Sequence, residues 1–553
     1  MAPIAVKIKH AGKVHDVQLD PDQSPTLFKD AVYQVTGVPP DRMKVMIKGG
    51  ILKDDTDWRK VGPKAGQTFM VIGAAGELPK PPSTPIQFLE DMDDSELAQA
   101  LSLPVGLRNL GNTCYMNATL QAMRAIPELQ TALQKSAPSG LPTALRSLYS
   151  DMASTTDSIN PATFLSALRQ AFPQFAQMVP AGASPFKVLA GGAYAQQDAE
   201  ECWVQLTNSL KDVQGLPPSG SSAATGKFVE QYMTGEIRQT LKLKESEASE
   251  EPESVSSEKM LKISCNISLA VNYLQQGIME ALDGEIEKQS PSLGREAVYT
   301  STQRLSRLPS YLTVHMVRFA WKRDIGKKAK IMRRVKFPTE YDALEIVTPE
   351  LKEKLLPVSR KLKEFEKERG ERQKIRKRTK AAQPAKDKEG DVQMGDASSS
   401  TEAQPSAESS SAPATEGEGE TEKGKAVAGA ELEDESVYRE KEGKELDALV
   451  HPDLKKDVGA SLTGQYELVA IVTHKGAEAD AGHYIGFVKK RALHSSSGSG
   501  AAPRPPLDED DEDWYKFDDD KVSIFPAEKL ETLSGGGQDA SAYVLLYRAR
   551  PLV

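Results

Sequence analysis

Residues 106–121 read GLRNLGNTCYMNATLQ, and this stretch is the most informative about the fold. Glycine and asparagine dominate its first half, which predicts a loop, and helical spacing of apolar residues begins at Cys114. In the first turn of a helix, unpaired backbone N–H groups and the helix dipole favour an anion. We therefore expect the thiol pKa of Cys114 to fall toward the reactive range. A free cysteine is more often a buried structural residue, so a catalytic role needs partners elsewhere.

A second stretch, DAGHYIGFV at residues 480–488, offers a base. His483 opens a predicted strand and follows Gly482, so its ring can lie at the rim of a cleft. An imidazole within hydrogen-bond reach deprotonates a thiol and later protonates the leaving amine. The other six histidines lack this setting. The two stretches together predict a Cys114–His483 pair.

Two further groups would complete such a site. The stretch WYKFDDDKV at residues 514–522 offers a carboxylate to orient the histidine, although strand alternation does not choose among its three aspartates, and a solvated acidic turn is the structural alternative. Asn109 lies just upstream of Cys114 and can donate a side-chain hydrogen bond to an oxyanion.

The first 76 residues predict a small separate unit. Alternation over 4–8 and 14–19 predicts a hairpin, and residues 26–36 predict a helix that buries Leu27, Ala31 and Val35 and stops at Gly37. Short strands are predicted at 45–47 and 69–72.

Residues from 104 onward predict helices first and strands later, and hence an α+β domain with a cleft where the two parts meet. Helices are predicted at 114–126, 142–152, 161–171 and 198–213, and strands at 228–243, 260–267, 311–321, 466–473, 483–489 and 542–547. Residues 245–258 predict a surface loop, and about 380–440 a disordered insert. Residues 349–370 have a charged helical pattern, and the basic run at 373–380 suits either a nuclear import signal or a solvated flank.

Composition excludes several classes of protein. The 553 residues exceed what one hydrophobic core usually supports, so two or more folded units are expected. With no apolar run of eighteen residues and no signal-peptide pattern, we expect no membrane segment. Three distant cysteines without a CxxC pair predict neither a disulfide framework nor a zinc site. The net charge of −9, spread over both signs, argues against nucleic-acid binding.

The stretches GLRNLGNTCYMNATLQ, YELVAIVTHKGAEADAGHYIGFVK and WYKFDDDKVSIF, followed by AYVLLY, resemble the ubiquitin-specific protease family in content and order. The resemblance implies a papain-like thumb, palm and fingers fold and a thiol-dependent ubiquitinyl hydrolase. It assigns Cys114 as nucleophile, His483 as base, Asp518 as the orienting residue and Asn109 as the oxyanion donor. Asp519 could assist. Because the paired cysteines that bind zinc in many relatives are missing here, we expect neither a metal nor another cofactor.

The same resemblance marks a channel for the extended C-terminal tail of ubiquitin. The stretch YAQQDAEECW at residues 194–203 and the residue after His483 imply substrate-binding roles for Gln197, Asp198 and Tyr484. A carboxylate at 198 would pair with the arginines of the tail, although a helix N-cap is compatible with the same residue. Loops near the cleft, including 473–481, would cover the channel until the protein docks with its partner.

Residues 1–76, and above all GVPPDRMKVMIKGG, resemble ubiquitin itself without its terminal Gly-Gly. This implies a β-grasp ubiquitin-like domain at 1–76, a linker at 77–103 and a catalytic domain at 104–553. Met46 and Ile72 fall at the apolar recognition patch of ubiquitin, though both could equally be core residues.

This domain order resembles the proteasome-associated branch of the family. It implies docking of residues 1–76 on the regulatory particle of the 26S proteasome, with hydrolysis of the bond at ubiquitin's C-terminal glycine. The enzyme would trim ubiquitin chains from bound substrates and recycle ubiquitin, as a monomer when free, in cytoplasm and nucleus. Two alternatives remain: a ubiquitin-binding scaffold with incidental catalysis, and a shuttle factor, which leaves the catalytic stretches unexplained.

Overall fold

The computed structural model describes residues 3–48, 50–73, 104–178, 194–217, 226–244, 251–322, 326–382, 433–478, 481–494 and 511–552. The chain divides into two compact units, Met1–Met92 and Asp93–Val553. The linker expected at 77–103 lies outside the described residues, as does most of the insert expected at 380–440. No described helix is long and apolar enough to cross a membrane.

The first unit is a five-stranded sheet with one long helix packed on its inner face. Its elements are β1 (Ile4–His10), β2 (Lys13–Leu19), α1 (Pro25–Thr36), β3 (Lys44–Ile47), β4 (Gly50–Ile51), α2 (Trp58–Val61) and β5 (Thr68–Ile72). The strand order is β2-β1-β5-β3-β4, with β1 and β5 parallel. Alternation along each strand explains why one face of this sheet is buried against the helix: Val6 and Ile8 are buried, while Lys7 between them is exposed.

Helix α1 ends where its sequence predicts. Gly37 takes a left-handed φ of 69°, and its N–H donates to the carbonyl of Tyr33. The face predicted to be buried is wrong at Leu27, which is 54% exposed. Phe28 and Val32 fill the core instead, because the buried stripe starts one residue later than the predicted one.

The second unit opens with helices that pack around one apolar core. They are α3 (Cys114–Met123), α4 (Pro127–Lys135), α5 (Leu141–Ala153), α6 (Ala162–Ala171), α7 (Ala199–Ser209) and α8 (Phe228–Tyr232). Because α8 covers the first residues of the range 228–243, the single strand predicted there is wrong in its first part. Helix α3 is buried along its whole length, so the core surrounds the element that begins at Cys114.

Four strands form a separate sheet, and the sequence pattern predicts this sheet only in part. They are β6 (Gly235–Leu243), β7 (Ser254–Met260), β9 (Asp283–Gln289) and β10 (Glu296–Arg307), in the order β7-β6-β10-β9. The loop predicted at 245–258 is therefore wrong from residue 254 onward. Strands β7 and β9 are exposed along most of their length, so their sequences lack the apolar alternation that predicts a strand.

The remaining strands build a ten-stranded sheet. They are β8 (Ile263–Cys265), β11 (Tyr311–Met316), β12 (Phe319–Lys322), β13 (Lys327–Lys330), β14 (Glu340–Asp342), β15 (Gln465–Glu478), β16 (Ala481–Lys489), β17 (Trp514–Asp518), β18 (Lys521–Phe525) and β19 (Ser541–Ala549). Its main path runs β18-β17-β16-β15-β19-β11-β8. A Cβ at Gly486 of β16 would lie 3.1 Å from the carbonyl oxygen of Ala118, so β16 packs closely on α3. This contact brings the helix that starts at Cys114 against the strand that carries His483.

The other helices of the second unit are α9 (Leu274–Leu282), α10 (Pro349–Ala382), α11 (Glu435–Leu449), α12 (Pro452–Lys456) and α13 (Lys490–His494). Helix α10 confirms the charged helical pattern. Helices α10 and α11 extend into the two edges of the insert expected at 380–440. Ion pairs join the two helices, with Arg372 contacting Glu435 at 3.0 Å and Glu442 at 2.6 Å. The order of helices and strands confirms the α+β class.

Candidate active site

The loop before α3 is folded around the side chain of Asn109. Its Oδ1 accepts hydrogen bonds from the backbone N–H of Gly111 (2.9 Å) and of Thr113 (3.2 Å). Gly111 and Asn112 both take positive φ, 94° and 55°, which glycine and asparagine tolerate best. The glycines and asparagines of the quoted stretch thus let the chain turn sharply into α3 at Cys114.

Cys114 is the first residue of α3, but its thiol is not activated in this conformation. The residue is 3% exposed, and burial raises the pKa of the thiol to about 11, with the Asp519 carboxylate adding to the rise. A backbone hydrogen bond with Tyr484 acts in the opposite direction and is outweighed. The expected fall of the thiol pKa is therefore wrong here, because loss of water around the sulfur exceeds the effect of the helix start.

His483 and Asp518 form a close pair across neighbouring strands. Nε2 of His483 lies 2.6 Å from Oδ1 of Asp518, and each side chain is about one-third exposed. Lys516 contacts the second oxygen of the carboxylate at 3.2 Å. Burial opposes ionisation of Asp518, but the bonds from His483 and Lys516 outweigh it and lower the pKa of this carboxyl. Because Nε2 faces the carboxylate, Nδ1 is the nitrogen left to take a proton from a thiol.

The three quoted stretches converge at this point of the fold. The thiol of Cys114 bonds to the backbone of Tyr484, the residue that follows His483. A ring nitrogen of His483 and carboxylate oxygens of Asp518 and Asp519 lie within 4.8 Å of one another. A sulfur, an imidazole and a carboxylate at one place suit nucleophilic catalysis with a base and an orienting group.

Asn109 lies beside this group, but part of its amide is already used. Its Nδ2 donates to Oδ2 of Asp519 at 2.9 Å. One of its two N–H groups is therefore bonded to a carboxylate, which leaves the other for an oxyanion.

The predicted substrate-binding residues lie near the strand of His483, since the ring of Tyr543 lies 6.1 Å from that of Tyr484 and its hydroxyl contacts Asp198. Asp198 caps α7: its Oδ1 accepts from the N–H of Glu200 at 2.7 Å, while its Oδ2 accepts from the hydroxyl of Tyr543 at 2.6 Å. Gln197 precedes Asp198 in the chain. Within the described residues, its side-chain Nε2 contacts the backbone carbonyl of Ala195 at 3.5 Å. Tyr484 is 1% exposed, so its ring packs inside the protein in this conformation.

The described part of the range 473–481, expected to be a loop over the channel, is strand, while residues 479–480 lie outside the described residues. Strand β15 runs to Glu478, and β16 begins at Ala481. The N–H of Gly482 contacts Oε1 of Gln196 at 3.3 Å, so the strand of His483 is joined to the stretch that contains Asp198. Nothing in the sequence pattern signalled this bond.

On the first unit, Met46 and Ile72 are exposed, at 39% and 52%, so their interpretation as core residues is wrong. Strand pairing puts Met46 opposite both Met70 and Ile51, which are 51% and 46% exposed. These four side chains form an apolar face, which we call the outer face. Met70 and Ile51 were missed, although strand alternation from Ile72 reaches Met70.

Comparison with known proteins finds family matches in both units of the chain. The family model for ubiquitin carboxyl-terminal hydrolase matches residues 105–547, and the model for the ubiquitin family matches residues 4–75. Ubiquitin carboxyl-terminal hydrolase 6 of Schizosaccharomyces pombe is 39% identical over 553 residues, covering 100% of both chains. The protein of the same name from Arabidopsis thaliana is 36% identical over 558 residues, covering 99% of this chain and 98% of its own. The SAGA Ubp8/Sgf11/Sus1/Sgf73 DUB module bound to ubiquitin aldehyde has a TM-score of 0.44 at 16% identity, over 81% of this chain and 69% of that chain.

Proposed function

This chain belongs to the ubiquitin carboxyl-terminal hydrolase family and is a deubiquitinase of the cysteine-protease type, and from that premise we propose that it works on ubiquitin chains of proteins bound to the 26S proteasome. In this proposal residues 104–553 form the catalytic domain, which cuts the bond at the C-terminal glycine of ubiquitin. Residues 1–76 dock on the regulatory particle, and residues 77–103 link the two. The outer face is the single observation that carries the docking.

We assign the chemistry to Cys114, His483, Asp518 and Asn109. His483 takes the thiol proton on Nδ1, and the sulfur attacks the carbonyl carbon of the terminal glycine. Asp518 holds the ring through Nε2 and stabilises the imidazolium, while Asn109 donates to the oxyanion. The imidazolium protonates the departing lysine amine. Water, deprotonated by the same histidine, then cleaves the thioester and releases ubiquitin.

Binding of the ubiquitin tail is assigned to the cleft beside Asp198. An acidic side chain there suits the basic tail, and a tail arginine would share Oδ2 with Tyr543. Gln197 and the backbone around Tyr484 would hydrogen-bond the extended tail. We expect the ring of Tyr484 to act through packing, since it is buried.

Docking is assigned to the outer face because its apolar side chains are flanked by lysines. Lys9 pairs with Met70, and Lys44 pairs with Ile72, so each lysine lies on the same side of the sheet as its partner. Exposed apolar area on a small unit, bordered by charge, is typical of an interaction surface. Met46 and Ile72 would then contact the proteasome together with Met70 and Ile51.

A protonated, buried thiol suits an enzyme with low activity when free. Docking would favour a minor conformation in which the channel opens and the thiolate forms. The hairpins β12–β13 and β15–β16 are the elements that we expect to move. We further propose that the protein is a monomer when free and works in cytoplasm and nucleus.

The decisive experiment measures hydrolysis of a ubiquitin–fluorophore conjugate by the full chain, with and without purified 26S proteasomes. Proteasomes whose own deubiquitinases are inactivated should raise the rate, and Cys114→Ala should abolish it under both conditions. An unchanged rate with proteasomes would contradict the proposed partner. Hydrolysis by Cys114→Ala would instead contradict the assigned nucleophile.

A second candidate function is a ubiquitin-binding scaffold, which the buried, protonated thiol of Cys114 also favours. Comparing substrate breakdown by proteasomes that carry either the wild type or Cys114→Ala separates the two. Equal breakdown favours the scaffold, whereas accumulation of ubiquitin chains with the variant favours catalysis.

A further inference from the structure

A hydrogen-bonded cluster beside Cys114 takes no part in the proton transfers described above. Its centre is Asp519, which begins the two-residue turn between β17 and β18 and has a left-handed φ of 53°. Aspartate tolerates this region better than most residues. Although Asp518 and Asp519 are adjacent in sequence, the first contacts His483 and the second contacts the loop before Cys114.

The carboxylate of Asp519 binds two amides at once. Its Oδ2 accepts from Nδ2 of Asn109 at 2.9 Å, and its Oδ1 accepts from Nδ2 of Asn117 at 2.8 Å. Its backbone carbonyl also accepts from the N–H of Leu107 at 3.0 Å. Hydrogen bonds to an ionised acceptor are stronger than those between neutral groups.

These bonds join three separate parts of the site. Asn117 lies one helical turn after Cys114, is 2% exposed, and contacts the carbonyl of Leu107 at 3.2 Å. Asn109 belongs to the loop, and its Oδ1 is held by the N–H groups of Gly111 and Thr113. With both ends of the Asn109 amide bonded, its plane is fixed relative to α3 and to the hairpin that carries Asp518.

The electrostatic effect of Asp519 opposes the reaction. Burial is the main cause of the raised pKa of the Cys114 thiol, and the carboxylate of Asp519 raises it further. A negative charge here disfavours the thiolate and also the oxyanion that forms next to it. A residue that stabilised either anion directly would donate a hydrogen bond to it or carry a positive charge, and an ionised carboxylate does neither. The benefit of Asp519 is therefore geometric.

We infer that Asp519 and Asn117 are positioning residues that hold the amide of Asn109, so that its remaining N–H meets the oxyanion of the tetrahedral intermediate. This inference rests on the proposed roles of Cys114 and Asn109. Neither positioning residue touches the substrate or exchanges a proton. Preorganised donors are among the largest contributors to acyl-transfer catalysis, and errors of about 1 Å are costly.

A competing role for Asp519 is to orient His483 together with Asp518, since its carboxylate lies near the ring. Both of its oxygens already accept amide hydrogens, whereas Asp518 makes the 2.6 Å contact with the ring. The geometry therefore favours Asn109 as the group through which Asp519 acts.

The test uses the full chain and the variant Asp519→Asn. Asparagine has the same shape but one acceptor oxygen, so it satisfies one of the two amides and turns its own NH₂ group toward the other. Asn109→Ala and the double variant are compared with it, and Asp520→Asn is the matched control because Asp520 is the exposed neighbour. For each protein, kcat and KM on the ubiquitin–fluorophore conjugate and the pH dependence of Cys114 alkylation by iodoacetamide are measured.

We expect Asp519→Asn to lower kcat at least about tenfold, since loss of a whole oxyanion donor costs roughly 10²–10³. KM should stay within about twofold, and the double variant should match Asn109→Ala, as expected of residues acting as one unit. The alkylation midpoint should move to lower pH because an opposing charge is removed. Unfolding would also lower it by exposing the buried thiol, so thermal unfolding of each variant is measured alongside, and an unchanged unfolding temperature shows that the fold is kept. Asp520→Asn should behave like the wild type.

Wild-type kcat in Asp519→Asn would overturn the inference, and so would a double variant in which the two losses multiply, because Asp519 would then act independently of Asn109. If Asp519→Asn unfolds, Asp519→Glu serves instead, with the same comparison against Asn109→Ala. Failure of the underlying site assignment is recognised separately, by hydrolysis that survives Cys114→Ala.

Discussion

Nε2 of His483 lies 2.6 Å from Oδ1 of Asp518, whereas burial raises the pKa of the Cys114 thiol to about 11. The base is thus oriented before the nucleophile is ionised. In this conformation the base and its carboxylate are in place, but the thiol is protonated. Several measurable consequences follow from this combination.

The His483–Asp518 pair predicts a large catalytic loss in Asp518→Asn. An amide can keep the hydrogen bond to Nε2 but lacks the negative charge that stabilises the imidazolium, so kcat should fall at least about 100-fold, as expected when the orienting carboxylate of a triad is lost. Because the pKa of Asp518 is lowered in the folded protein, its contribution is present above the ordinary aspartate pKa and is lost only as pH falls through the lowered value. Asp518 therefore stays ionised between pH 5 and 9, and steady-state hydrolysis should show the loss throughout that range, with Asp520→Asn as control. Equal rates for Asp518→Asn and the wild type would refute the prediction.

The buried thiol predicts slow chemical modification of the free protein. With a pKa of about 11, only about one Cys114 in 10⁴ is ionised at pH 7. The rate of iodoacetamide alkylation, followed by mass spectrometry of the Cys114 peptide, should still be rising at pH 9. Cys265, whose pKa burial raises to about 12, serves as an internal comparison. A plateau for Cys114 at or below pH 8 would contradict the prediction.

The outer face of the first unit predicts a binding defect without a folding defect. Because Met46 and Ile72 are exposed, replacing both by aspartate should change the free energy of unfolding by less than about 1 kcal/mol. Co-sedimentation with 26S proteasomes should fall at least about tenfold, while hydrolysis by the free enzyme stays unchanged.

The matched control for that pair is Leu27→Asp, which is equally exposed but lies on α1 rather than on the sheet. If Leu27→Asp impairs co-sedimentation as much as the double variant does, the assigned face is wrong.

The tight contacts of Gly482 predict a catalytic loss in Gly482→Ala. A Cβ there would lie 2.4 Å from Nε2 of His474 and 2.5 Å from the carbonyl oxygen of Lys475, so the strand must shift beside His483. Displacement of about 1 Å can cost 10²-fold in rate, and we expect a fall in kcat of at least about tenfold. Gly370→Ala, which meets no atom within 4 Å, is the control. Full activity of Gly482→Ala would show that the strand accommodates the methyl group.

The sequence predicted the site better than it predicted the chemistry of the thiol. The residue types of two stretches pointed to Cys114 and His483, the family resemblance added Asp518, and the fold brings these parts of the chain together. Alternation did not choose among the aspartates, because only the turn geometry separates Asp518 from Asp519. The thiol pKa was wrongly predicted because a helix start is readable from local sequence, whereas burial depends on distant elements.

Errors in the fold have similar causes. The face of α1 was shifted by one residue because Leu27 and Phe28 are both apolar, and packing decides between them. Strands β7 and β9 were missed because their side chains are mostly polar and exposed on both sides. The exposed position of Met46 could not be settled from sequence, since strand methionines are usually buried.

Helices α10 and α11 run side by side and are joined by the ion pairs of Arg372 with Glu435 and Glu442. The described chain therefore stops at residue 382 and resumes at residue 433, on two neighbouring helices. Loop-closure entropy changes only slowly with loop length, so segments of very different size can be inserted between these helices at little cost. For protein engineering, we therefore expect that a fluorescent domain or an affinity tag can be inserted between α10 and α11 while the residues of the active site stay in place.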